Sequence, residues 1–143
     1  MNNLKKAKEL LKDSQYTCVL CKDDTIYTST LKGISPMVEF LRNGINLKGF
    51  SAADKIVGKA AAMLFSLAEV KEVYAEVLSK SAAEYLSDRN IAFSYDTLTD
   101  KIINRKGDGI CPMEKTVADL TDEMSAFEAI KNKLNELRKE SLT

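Results

Sequence analysis

The run IVGKAAAMLFSLA (56–68) constrains this chain more than any other stretch. Its apolar residues do not keep to one stripe. They go nearly all the way round a helix, so the helix they predict has to be buried on every side. Ala60, Ala61 and Ala62 carry small side chains and let such a helix lie close against a sheet. A chain that must surround one helix needs other layers to do it. With 143 residues it has surface enough to bury for a single domain, 1–143, without disulfides or metals as staples.

The flanking patterns supply those layers. Leu4, Ala7, Leu10 and Leu11 recur at helical spacing over 2–13. YTCVLCK and TIYTST, joined at Asp23-Asp24, read as a β-hairpin. Ser35 is placed to cap a short helix with Pro36 at its first position and Gly44 at its end. After the buried helix, VYAEVL reads as a strand. Ser79 or Ser81 starts the next helix, and Ser81 with Glu84 matches a capping box. IAFSY alternates as a strand with Ile91, Phe93 and Tyr95 on one face. Residues 97–105 fit either a short helix or a strand, and Pro112 opens a further helix. Over 122–140 an amphipathic helix carries Met124, Phe127, Ile130, Leu134 and Leu137 on one stripe, for packing in cis or for a dimer seam. The order α, β, β, α, α, β, α, β, then helices predicts an α/β fold. A mixed sheet would carry helices on both faces, in three α-β-α layers.

Composition removes several functions. Lys plus Arg and Asp plus Glu are both 21, so the chain lacks the basic surplus of a bulk nucleic-acid binder. It contains no histidine, which excludes Ser-His-Asp and Cys-His catalysis and every His-containing metal site. The opening MNNLKKAKELL reads as a charged amphipathic helix and not as a leader, and no apolar run has the length of a membrane span. Three cysteines, an odd number, point to a reducing, cytoplasmic setting. Cys18 and Cys21 form a C-x-x-C, but on a strand those positions point to opposite faces, so they are expected as small core or edge residues.

The strings DKIVGKAAAML (54–64), VYAEVLSKSAAEYL (73–86) and INRKGDGICPMEK (103–115) resemble those of an uncharacterised prokaryotic family, domain of unknown function 1893. The resemblance reaches to about residue 120 and implies a cytidine-deaminase-like fold. Zinc-dependent deaminases carry a ligand and a proton-shuttling glutamate at one helix start, and Pro-Cys-x-x-Cys at another. Here Lys59 and Ala61 stand at the first start, and Ser79-Lys80-Ser81 at the second. Neither set binds zinc or moves a proton. GDGICPMEKTV (107–117) comes one α-β unit too late and reads Cys-Pro, not Pro-Cys. The expectation is therefore a protein that is not a zinc deaminase and needs no zinc.

Several readings of the polar residues stand side by side. Cys111-Pro112-Met113-Glu114 can be a plain helix start, with the acidic residue complementing the helix dipole. Alternatively, two helix starts form a phosphate or nucleotide pocket. In that pocket Asp54, Lys55, Gly58 and Lys59 sit on one side and Asn104, Arg105, Cys111 and Glu114 on the other. Lys59 and Arg105 would meet phosphate, while Asn104 and Glu114 would meet ring or ribose groups. Asp54 is also a candidate cap of the central helix. A third reading is a metal-independent enzyme using Cys111 as thiolate or Lys59 as amine. A fourth is a protein–protein or self-association module, using the C-terminal stripe and a sheet edge.

Overall fold

The computed structural model describes residues 2–104 and 106–142. Among these described residues eleven elements follow one another, beginning with α1 (Asn3–Asp13), β1 (Cys18–Lys22), β2 (Thr25–Ser29) and α2 (Ser35–Arg42). Then come β3 (Ser51–Val57), α3 (Lys59–Leu67), β4 (Glu72–Ser79), α4 (Lys80–Asp88) and β5 (Ala92–Thr99). The chain ends in α5 (Pro112–Val117) and α6 (Glu123–Leu142). Among the described residues one sheet forms, ordered β2-β1-β3-β4-β5. β1 pairs antiparallel with both β2 and β3, whereas β3–β4 and β4–β5 are parallel. The fold is α/β with a mixed five-stranded sheet and helices packed on it.

One strand corrects the sequence reading. Residues 51–57 are the central strand β3, which the spacing had merged into a helix start. SAADKIV is short of β-branched and aromatic residues, so its local preference for a strand is weak. It becomes a strand because β4 pairs along it from Ser51 to Val57 and β1 pairs with its first four residues, Ser51–Asp54. Asp54 therefore does not cap the central helix and Lys55 is not at a helix start. Both lie inside β3, and Gly58 is the residue preceding α3. Smaller corrections follow the same logic. Ser35 is the first helical residue of α2, with Ile34 before it and no side-chain cap. Ser79, and not Ser81, caps α4, by accepting the Ala82 N–H.

α3 is as enclosed as its composition requires, with every residue from Ala60 to Phe65 buried. It lies on one face of the sheet beneath α2, α4, α5 and α6. Cys18, Leu20, Ala52, Val73 and Ala75 come up from the strands to meet Met37, Phe65, Leu86, Val117 and Ile130. The other face is covered by α1, through Ala7 and Leu11 against Val19, Cys21, Ala53 and Tyr74. The two β1 cysteines thus point to opposite faces, fully buried, as free thiols. Burial pushes both thiols up, Cys18 well above its usual range with the Asp54 carboxylate adding to the effect.

The C-terminal stripe packs largely within the chain. Phe127 and Ile130 are buried, and Leu134 and Leu137 rest on the core, while Met124 stays exposed. The α6 N-terminus is pinned at Glu123, which accepts from Tyr85 Oη at 2.8 Å and from Ser66 Oγ, and pairs with Arg89. Burial and this carboxylate push Tyr85 up to about 12. Among the described residues no helix is long and apolar enough to cross a membrane.

Candidate functional site: helix starts closed by the chain

β3 and β4 are adjacent and parallel, and each runs directly into a helix. The starts of α3 and α4 therefore lie side by side at the carboxyl ends of the strands. In open α/β sheets that is where ligands bind. At each start the first backbone N–H groups have no partner within their own helix.

At α3 the partner comes from far along the chain. Glu114, on α5, places Oε1 2.8 Å from the Lys59 N–H and Oε2 2.9 Å from the Ala60 N–H. Both oxygens of one carboxylate are held by the positive end of a helix, an arrangement that satisfies two donors and matches the helix dipole. Gly58 makes the approach possible. A Cβ there would stand 2.3 Å from Glu114 Oε1, closer than two such atoms can come. The contact is returned, because Lys59 Nζ donates to the Ala118 carbonyl at 2.9 Å, just past the last turn of α5. A carboxylate on the amino end of one helix and an ammonium on the carboxyl end of the other make a reciprocal clasp. Each half complements a dipole and is worth roughly 1 kcal/mol on typical cap energetics.

At α4 the buried Ser79 accepts the Ala82 N–H at 3.1 Å and shares a hydrogen bond with Ser81 Oγ. This start too is closed from within.

The loop before α5 uses its polar groups on itself. Asn104 Nδ2 donates to Asp108 Oδ1 at 2.9 Å, and the Asp108 N–H returns a bond to Asn104 Oδ1 at 3.2 Å. Gly107 takes a φ of +75°, which favours glycine, and its N–H reaches the Asn104 carbonyl. Ile103 bridges to Ile110, and the Cys111 N–H bonds to the Ile102 carbonyl. Cys111 is half-buried and rests against the core. Arg105, expected to meet phosphate, lies outside the described residues.

Of the eight residues expected around a pocket, the structure brings Gly58, Lys59 and Glu114 together, with Glu114 itself in the position expected of an anion. Asn104 and Cys111 belong to the loop and to the start of α5. Lys55 sits on β3 with its N–H on the Thr17 carbonyl. Asp54 is only 6% exposed, and burial raises its carboxyl to about 8 even though the backbone N–H groups of Lys55 and Ile56 pull the other way. The sequence offers Ser79 and Ser81 alike as the start of α4, and the structure selects Ser79; the Ala118 carbonyl as the seat of Lys59 was missed. A backbone carbonyl leaves no signal at all. Among the described residues no cluster of three or more potential metal-ligating Cys, Asp or Glu side chains occurs. Two surface hollows, one between α2 and α6 and one along α1, lie away from these helix starts.

The molecule is thus a mixed-sheet α/β domain whose paired helix starts are occupied by its own side chains. The model of the TM1506 family, Domain of unknown function (DUF1893), matches residues 6–134, and the chain belongs to that family. A solved structure, that of a DUF1893 family protein (TM1506) from Thermotoga maritima, is similar to it. The two chains are 28% identical with a TM-score of 0.85, over 92% of this chain and 90% of that one. No curated protein matches the chain.

Proposed function

We propose that this protein is a non-enzymatic interaction module built on a cytidine-deaminase-like frame, with the frame's ligand seat closed by Glu114. Two helices that start side by side after adjacent parallel strands support the deaminase-like frame. The observation that carries the functional reading is the reciprocal clasp. The α3 N–H groups that a phosphate would use are held by Glu114, and the Lys59 ammonium is held by Ala118. The two α3 N–H groups meet an anion only by giving up Glu114, whereas the exposed Lys59 ammonium keeps two further N–H donors beside its bond to Ala118. The cytoplasmic setting rests on the odd number of cysteines.

A second reading is favoured by the same carboxylate. An anion binds a helix start in the way Glu114 does, so a phosphate-bearing or nucleotide-like ligand would compete with it and release α5. Calorimetric titration with inorganic phosphate and with common nucleotides separates the two. The interaction reading expects no saturable binding by the unmodified protein at millimolar ligand, and a gain of phosphate binding in Glu114→Ala. Saturable binding to the unmodified protein overturns it in favour of the ligand reading. A one-to-one covalent adduct formed at Cys111 by a mild thiol reagent, or at Lys59 by borohydride with a carbonyl compound, would instead support the metal-independent enzyme.

A further inference from the structure

The two edges of the sheet differ. β2 spans five residues, Thr25–Ser29, and short edge strands offer little to an incoming chain. β5 spans eight residues, Ala92–Thr99, and most of its side chains are exposed. Its inner side is paired with β4 from Glu72↔Ala92 to Ser79↔Thr99. Among the described residues, no backbone group from outside β4 bonds to residues 92–99. The usual defences of an open edge are proline, lysine, a bulge or a covering segment. AFSYDTLT contains no proline and no lysine, and its one charge, Asp96, is turned toward α1, where it accepts from Tyr74 and pairs with Lys12 at 3.3 Å. Tyr95 and Leu98 are 43% and 40% exposed.

We infer that β5 pairs with β5 of a second copy of this chain, joining the two sheets into one across a twofold axis. This rests on the interaction-module reading and names its partner. A twofold axis normal to a sheet makes the two edge strands antiparallel and sets one residue opposite its own copy. Charge chooses which residue that is. Centred on Asp96, the axis would oppose two carboxylates, which is destabilising. Centred on Ser94, it would face Asp96 with Ala92, which has no donor. Centred on Tyr95, it sets Ser94 against Asp96 twice, so each carboxylate gains a hydroxyl donor. The same register pairs Phe93 with Thr97 and Ala92 with Leu98, and stacks the two Tyr95 rings at the centre. Ser94 stands in register with Tyr74, whose hydroxyl bonds Asp96, so the new polar pairs form on the α1 side. A formal net charge of zero puts no long-range repulsion between copies.

Sedimentation velocity over a concentration series tests this directly. The unmodified protein is expected to be dimeric at high micromolar concentration. Tyr95→Lys, which places two ammonium groups on the axis, is expected to weaken the dimer at least tenfold. Ile26→Lys on the β2 edge is expected to leave it unchanged. In a Cys111→Ser background, Tyr95→Cys is expected to form a symmetric disulfide under mild oxidation, and this decides the matter should Tyr95→Lys fail to fold. A monomeric unmodified protein, a dimer that survives Tyr95→Lys, or the absence of that cross-link in a folded protein overturns the inference. Phosphate titration of the same samples keeps two failures apart. A monomer that ignores phosphate defeats the β5 pairing alone. A monomer that binds phosphate saturably defeats the underlying reading as well.

Discussion

On one face of the sheet α2 to α6 close over a continuous core, and on the other α1 alone lies across β1, β3 and β4. The first face is held by buried aliphatic and aromatic packing, and its polar contacts reach across long stretches of chain. Glu114 with Lys59 and Glu123 with Tyr85 are the chief examples. The second face has a narrow seam ending in contacts at the surface. Lys8 lies 4.4 Å over the Tyr74 ring and Lys12 reaches Asp96. Toward the carboxyl ends of the strands this face is open, with Ile56 53% exposed. The difference teaches where each kind of work can be done. The thick face stabilises the domain and shuts its helix starts, while the thin face and the β5 edge leave surface for contact with another molecule.

Core truncations should separate the faces most widely. Phe65→Ala removes a fully buried ring from α3 and should cost about 3–5 kcal/mol in chemical denaturation. Leu11→Ala, on α1, should cost about 2–3 kcal/mol, because a single covering helix can settle into the space left behind. Equal losses would mean that the α1 layer is packed as firmly as the other.

Asp54 sharpens the contrast through pH. In the unfolded chain its carboxyl loses a proton near the ordinary 3.8, but in the folded chain it holds the proton up to about 8. The folded state therefore binds more protons between these values. Stability on this account is full below about pH 4, falls as pH rises through 8, and levels off above. Asp54→Asn should flatten that decline, and denaturation midpoints at pH 5, 7 and 9 would show it. A decline of the same depth in Asp54→Asn would assign it to other groups.

The clasp predicts smaller effects with a distinctive pattern. Glu114→Ala should cost about 1–2 kcal/mol. Gly58→Ala should cost a similar amount, since its methyl takes the place of the carboxylate. The two losses should not add in the double variant, because both remove one contact. Full additivity would show that the Glu114 seat is not what Gly58 protects. Smallest of all, Lys12→Ala on the thin face should leave stability unchanged within scatter. Its pair with Asp96 is solvent-exposed, and such pairs contribute little.

Some of this was written locally in the sequence. The hairpin shows because its strands are β-rich and meet at a two-residue turn. The start of α5 shows because proline there tolerates only the first helical turn. The enclosure of α3 follows from its lack of a polar face. Only the tertiary structure decided the rest. SAADKIV has no strong preference of its own, and pairing on both sides made it the central strand and carried Asp54 into the interior. Glu114 follows Lys59 by 55 positions. No periodicity links them, and their meeting depends on α5 folding back over α3. Local preference acts over a few residues, whereas the closing of a helix start by a distant carboxylate exists only once the chain has brought the two ends of that path together.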